Sequence, residues 1–395
     1  MKFVNLCIIL MLTSLVFSAS LRKIYAPKLP EESMNVPEII QYYGYPSEEH
    51  YVQTEDGYIL TLHRIPKGLR KPSNGKVAFL QHGILDSSAT FLMNPPDQSL
   101  GFILADAGYD VWLGNSRGNT YSSENIKFTT KDKEFWDFSF DEMAKYDLPA
   151  SINYVLDTSN KSDLYYIGHS QGTTIGFIAF GENLELASKI RSFIALAPVA
   201  TVKYIQGAVK TISTFTTEIE LLIKIFGIYD FLPPSAILRF IAQDVCGLLY
   251  PTEKVCSNIA FLIAGYDVSN LNETRLPVYL SHLPAGTSSK DIIHFAQMIK
   301  SGQFQMFDYG ESENMKRYHQ KTAPLYYVDK VKVPVALFTG SNDWLADPTD
   351  INNHLIPFLP NIVFKKNIDA WNHLDFVWGI NANKMIYNDI INLMS

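Results

Sequence analysis

Two serines in this chain stand in the pattern Gly-x-Ser-x-Gly. Ser116 lies in Gly114-Asn115-Ser116-Arg117-Gly118, and Ser170 in Gly168-His169-Ser170-Gln171-Gly172. The pattern belongs to a sharp strand-to-helix turn that lifts a serine hydroxyl above a sheet, where it can attack an acyl carbon. Both serines follow an apolar run that reads as a strand, "YDVWLGNS" at 109–116 and "DLYYIGHS" at 163–170. Only Ser170 is followed by helical spacing, with Ile175, Ile178 and Ala179 recurring in "GTTIGFIAFGEN". After Ser116 the chain reads Asn-Thr-Tyr-Ser-Ser-Glu-Asn, which is turn and loop chemistry. Ser170 is therefore the expected nucleophile, and Ser116 is expected in a tight loop at the pocket rim. Gly168 and Gly172 should permit the strained turn and close packing, while His169 should point away from Ser170 and pack.

A serine hydroxyl needs a base to take its proton and an acid to orient that base. When the nucleophile sits on this kind of turn, the chain order is Ser, then Asp or Glu, then His. "VPVALFTGSNDWLADPTDINNHLI" supplies three acids. Asp343 comes first after the strand and can point back over a sheet. Asp347 precedes Pro348 and suits an N-cap, and Asp350 suits the first helical turn. Of the later histidines, His354 sits in the helical run "DINNHLIPFL", whereas His373 lies between strand-like "NIVFKK" and an apolar helix. Asp343 and His373 are the expected acid and base. A developing oxyanion would be held by the backbone N–H of Gln171 and by that of Ile84, or its neighbour Leu85, in "HGILDSS".

These residues need a scaffold that brings them to one edge. "EEHYVQTEDGYILTLHRIP" alternates around Asp56-Gly57 and predicts an antiparallel hairpin. "KVAFLQHG" (76–83), "SFIALAP" (192–198) and "VPVALFTG" (333–340) join the two serine-bearing runs as apolar strands suited to a covered parallel sheet. Helical patterns at 141–158 and 172–190 lie between them. The alternation predicts an α/β fold, a mostly parallel sheet with helices on both faces. From about Thr201 to Lys321 that rhythm stops and apolar, helix-like stretches take over. The expected organisation is a core of residues 20–200 and 322–395 with a cap inserted at 201–321. Such a cap would cover the carboxyl edge of the sheet, where open α/β sheets bind ligands.

The 395 residues are 47% hydrophobic and 18% charged, which describes a packed globular chain. A net charge of −7 argues against a nucleic-acid partner. At the N-terminus, Lys2, an apolar run from Phe3 to Phe17, and then Ser18, Ala19 and Ser20 predict a signal peptide over 1–19. The mature protein would then be secreted, and its two remaining cysteines, Cys246 and Cys256, could close a short loop or stay as buried thiols. Asn160-Lys161-Ser162 and Asn272-Glu273-Thr274 become candidate glycan sites on that route.

Eight segments in order resemble the acid lipase family, which includes gastric and lysosomal lipases. They are "YPSEEHYVQTEDGYILTLHRIP", "LQHGILDSS", "VWLGNSRGN", "EMAKYDLPA", "YIGHSQGTT", "YLSHLPAGTSS", "SNDWLADP" and "WNHLDFVW". The resemblance runs from about Pro37 to the C-terminus and implies the α/β-hydrolase fold. It puts nucleophile, acid and base on Ser170, Asp343 and His373, the oxyanion amides on Ile84 and Gln171, and a cap disulfide on Cys246 and Cys256. It also implies hydrolysis of triacylglycerols or sterol esters at a lipid-water boundary, with no cofactor, metal or colipase, and a secreted or lysosomal location. An esterase for small soluble esters, or a lipid binder of weak turnover, are the alternative expectations.

Overall fold

The computed structural model describes residues 28–213, 229–232, 263–265, 267 and 269–395. The expected signal peptide at 1–19, Cys246 and Cys256, and most of the apolar cap stretches lie outside the described residues.

Strands β1 (Glu48–Gln53) and β2 (Tyr58–Ile65) form the antiparallel hairpin, in register from Glu48 opposite Arg64 to Gln53 opposite Ile59. Gly57 makes its turn with φ of 100°, a value that disfavours any side chain. β2 pairs antiparallel with β4 (Asp110–Leu113), and from there the sheet is parallel. The order continues through β3 (Val77–Gln81), β6 (Leu164–His169), β7 (Ile190–Leu196), β10 (Val335–Gly340) and β11 (Ile362–Ile368). A two-residue strand, β5 (Glu124–Asn125), pairs with β2. The central strands are buried on both faces, which is why they read as continuous apolar runs. The edge strand β11 instead alternates, with Lys365 exposed on its outer side.

Two helical expectations change in detail. Residues 140–159 are helical throughout but pass through a π turn at Met143–Asp147, behind a capping box of Ser139 and Glu142. The region expected as helix over 172–190 is two helices, Gln171–Glu182 and Leu184–Ser188. Asn183 divides them because its side chain accepts the Leu186 N–H and starts the second.

The chain leaves the sheet after β7 and returns to the neighbouring β10, so residues 197–334 connect adjacent parallel strands. Their described part carries a separate antiparallel pair, β8 (Asp230–Phe231) with β9 (Thr287–Ser288), and helices including Leu276–His282, Ser289–Ser301 and Glu311–Tyr318. No helix among the described residues is long and apolar enough to cross a membrane.

A buried cation fixes the loop after β4. Arg117 is 1% exposed and takes two carboxylates. Its guanidinium donates to Asp56 at 2.6 and 2.9 Å, and to Asp147 Oδ1 at 2.8 and 2.6 Å, while its backbone N–H reaches Asp147 Oδ2. The Tyr58 ring lies 3.9 Å beneath it. The arrangement ties the loop after β4 to the hairpin turn and to the helical segment 140–159. Removing the cation leaves carboxylates buried without compensation, so Arg117→Met should lower stability by about 3–5 kcal/mol. Urea unfolding beside the unsubstituted protein measures this, and a change below about 1 kcal/mol contradicts it.

Candidate active site

Ser170 follows the last residue of β6 and precedes the helix Gln171–Glu182. Its backbone holds φ of 54° and ψ of −121°, a strained conformation for a residue with a side chain. A hydrogen bond of 3.1 Å from its N–H to the Leu196 carbonyl keeps it beside the end of β7. Gly168 and Gly172 have no positive φ themselves, and they serve the turn through the close packing expected of them. A Cβ on Gly168 would lie 2.8 Å from the Gly172 carbonyl group, and one on Gly172 would lie 2.3 Å from the Gln81 oxygen.

The residues picked from the sequence converge at the carboxyl ends of their strands. Ser170 Oγ donates to His373 Nε2 at 2.7 Å. His373 Nδ1 donates to Asp343, at 3.0 Å from Oδ1 and 2.9 Å from Oδ2. Asp343 Oδ1 also accepts the N–H groups of Leu345 and Ala346 at 2.9 and 2.8 Å, which aims the carboxylate from the turn after β10. His373 lies in the loop between β11 and the helix Asp375–Trp378, its own N–H bonded to the Ala264 carbonyl. The three side chains are nearly shut off from water.

The remaining candidates go elsewhere. Asp347 caps the helical turn at Pro348–Asp350 through the Thr349 N–H. Asp350 does more than favour a helix dipole: it binds the Thr201 hydroxyl and the N–H groups of Lys203 and Tyr204, tying down the first residues of the insertion. His354 stacks on Tyr204. Ser116 sits in a loop with its hydroxyl bonded to Gln81 Nε2 at 3.0 Å, and no helix follows it. His169 donates from Nε2 to the His373 carbonyl at 3.0 Å and does not reach Ser170.

Ile84 lies in the turn after β3, and Gln171 is the first residue of the helix behind Ser170. Neither N–H is a donor in the turn, loop or cap hydrogen bonds among the described residues. A Cβ on Gly83 would come within 3.0 Å of Ser170 Cβ, so the first loop rests against the nucleophile turn. Two neighbours escaped the sequence reading. Asp291 accepts the Gln171 side-chain amide at 2.7 Å and the Phe140 N–H at 2.9 Å. From the sequence, Ser288-Ser289-Lys290-Asp291 reads as an ordinary capping pattern. His82, inside "QHG", had no periodic signal at all. Among the described residues no group of three His, Cys, Asp or Glu could hold a metal ion.

Residues 36–95 match the family described as a partial alpha/beta-hydrolase lipase region, and residues 79–244 match the alpha/beta hydrolase fold. The chain is 50% identical over 373 residues to the gastric triacylglycerol lipase of Rattus norvegicus, covering 93% of each chain. It is 47% identical over 398 residues to the human lysosomal acid lipase/cholesteryl ester hydrolase, covering 100% of this chain and 98% of that one. A solved monoglyceride lipase variant from Saccharomyces cerevisiae shares the fold, with a TM-score of 0.53 at 17% identity over 94% of this chain and 98% of that one.

Two measurements follow from the site. A fluorophosphonate should label one serine, with the adduct mapped to the peptide holding Ser170; an adduct on Ser116 would overturn the choice between the two motifs. The second concerns buried titratable groups. Burial raises Asp141 to about 6, Asp86 and Asp291 to about 7 and Asp375 to about 8. It lowers His63 and His82 to about 4 and His169 and His294 to about 3. Between these extremes the folded carboxyls keep protons that the unfolded chain has released, and the folded histidines lack protons that it carries. The two sets oppose each other up to about pH 6.5, the unperturbed histidine value. Above it only the carboxyls act, with more protons bound folded than unfolded, so stability falls as pH rises towards 8. The urea midpoint should therefore decline from pH 6.5 to 8.5, and a rising midpoint contradicts the assignment.

Proposed function

The chain belongs to the acid lipase family, and from that premise we propose that it hydrolyses the ester bonds of neutral lipids, triacylglycerols and sterol esters, through an acyl-enzyme on Ser170. The observation that carries the proposal is the unbroken line of hydrogen bonds from Ser170 Oγ through His373 to Asp343. Ser170 Oγ bonds to the ester carbonyl carbon while its proton passes to His373 Nε2. Asp343, bonded to Nδ1–H, holds the tautomer that leaves Nε2 free to accept, and stabilises the imidazolium that forms. The Ile84 and Gln171 amides face the negative oxygen. Losing one such donor typically costs about 10²–10³ in kcat. His373 then gives its proton to the leaving alcohol, and water, deprotonated by the same ring, releases the fatty acid.

The inserted residues 201–321 act as the cap in this reading, opening at a lipid surface where their apolar stretches find contact. The leader at 1–19 sends the chain to the secretory route, to be secreted or kept in lysosomes. Cys246 and Cys256 form the cap disulfide. Of the two glycan candidates, Asn160 is exposed at a helix end, while Asn272 is half-buried and its Oδ1 accepts from Thr274. Asn160 is the more open acceptor.

Emulsified triolein and cholesteryl oleate, compared with a soluble acetate ester, test the proposal. Turnover of the emulsions by the unsubstituted protein, lost in Ser170→Ala, is the expected result. Activity on the soluble ester alone makes the protein a small-ester hydrolase, no turnover of either makes it a binder, and activity kept by Ser170→Ala removes the acyl-enzyme.

A further inference from the structure

His82 is buried, and the chemistry above leaves it without a task. Its Nδ1 lies 2.7 Å from the carbonyl oxygen of Gly83. Its Nε2 lies 3.0 Å from the backbone nitrogen of Ser116 and 3.2 Å from Asn119 Nδ2. A carbonyl oxygen only accepts and a backbone N–H only donates, so the ring proton must sit on Nδ1. Burial keeps the ring neutral by pushing its pKa down to about 4, which preserves the lone pair on Nε2. The carbonyl that takes the Nδ1 proton belongs to the peptide joining Gly83 to Ile84. That peptide is planar and trans, so fixing its C=O fixes the Ile84 N–H in the opposite direction. The same peptide rests on the nucleophile turn, where a Cβ on Gly83 would meet Ser170 Cβ at 3.0 Å.

We propose that His82 is a positioning residue that aims the Ile84 N–H at the oxyanion, and that the first Gly-x-Ser-x-Gly segment sets its tautomer through the backbone of Ser116. This rests on the reading of Ser170 and Ile84 given above. The segment is built to hold still. Arg117, next to Ser116, is locked between Asp56 and Asp147, and the Ser116 hydroxyl is bonded to Gln81 at the end of β3. The motif that supplies no nucleophile thus supplies the support for the loop facing one.

Two substitutions separate positioning from packing. An asparagine side chain reaches the place of Nδ1 and keeps a donor for the Gly83 carbonyl; a glutamine reaches the place of Nε2 and loses it. His82→Asn should keep kcat within about 3-fold, whereas His82→Gln should lose roughly 10- to 100-fold with KM for a soluble ester nearly unmoved, below the ~10²–10³ of an outright lost donor. A packing role gives the reverse order, because glutamine fills more of the space. Equal losses, a more active glutamine variant, or a loss carried by KM overturns the proposal. If neither variant folds, 15N-histidine NMR of the unsubstituted protein decides: a proton on His82 Nδ1 at neutral pH supports it and a proton on Nε2 overturns it. Ser170→Ala keeps the two readings apart. Turnover surviving in that variant removes the acyl-enzyme, while an inert Ser170→Ala beside a fully active His82→Gln removes only the role of His82.

Discussion

Ser170 can hold φ of 54° and ψ of −121° only because the strand before it and the helix behind it over-determine the turn. The contacts that do so are backbone to backbone. The Gly172 position meets the end of β3 and the Gly168 position meets Gly172, both at distances where any side chain would collide. Tyr166 from β6 donates to the Gly172 carbonyl at 2.7 Å, adding a bond across the same turn. The strained residue is paid for by apolar burial in the strands on either side. The result is a hydroxyl whose direction is set by the sheet rather than by its own rotamer.

Once that direction is fixed, the electrostatics are arranged by burial. The histidines around the site are held neutral by desolvation, His169 near 3 and His82 near 4, so each can serve only as a fixed donor at one nitrogen and an acceptor at the other. His169 uses its donor on the His373 carbonyl and keeps that loop against the nucleophile turn. His373 is different because a carboxylate faces its Nδ1. Asp343 in turn is held in place by two backbone N–H groups, those of Leu345 and Ala346. Of the buried imidazoles of His82, His169 and His373, only the last has a carboxylate and a serine hydroxyl at its two ends.

Much of this could be read in the sequence, for a physical reason. Parallel strands buried on both faces must be apolar throughout, so β3, β4, β6, β7 and β10 announce themselves, and the residues just beyond them sit at one edge. The choice between Ser116 and Ser170 turned on whether helix periodicity followed, which is a local property. What could not be read was mostly cross-chain and polar. The Arg117 cluster joins residues 61 and 30 positions apart, and the His82 ring is fixed by a backbone N–H that any residue at 116 would present. The break at Asn183 leaves no mark in the sequence pattern because apolar spacing continues across it, while the capping bond that starts the second helix depends on a single side chain.

The inserted segment is tied to the site more closely than a cover would need. Ala264 accepts the N–H of His373, and the Ala285 N–H donates at 2.7 Å to the Leu85 carbonyl in the loop after β3. Asp291 takes the side chain of Gln171 behind the nucleophile. His373, the loop holding Ile84 and Leu85, and Gln171 are therefore each bonded to residues between β7 and β10. A segment so connected cannot shift as a body without disturbing all three, because buried hydrogen-bonding groups left unpaired cost about 1–3 kcal/mol apiece.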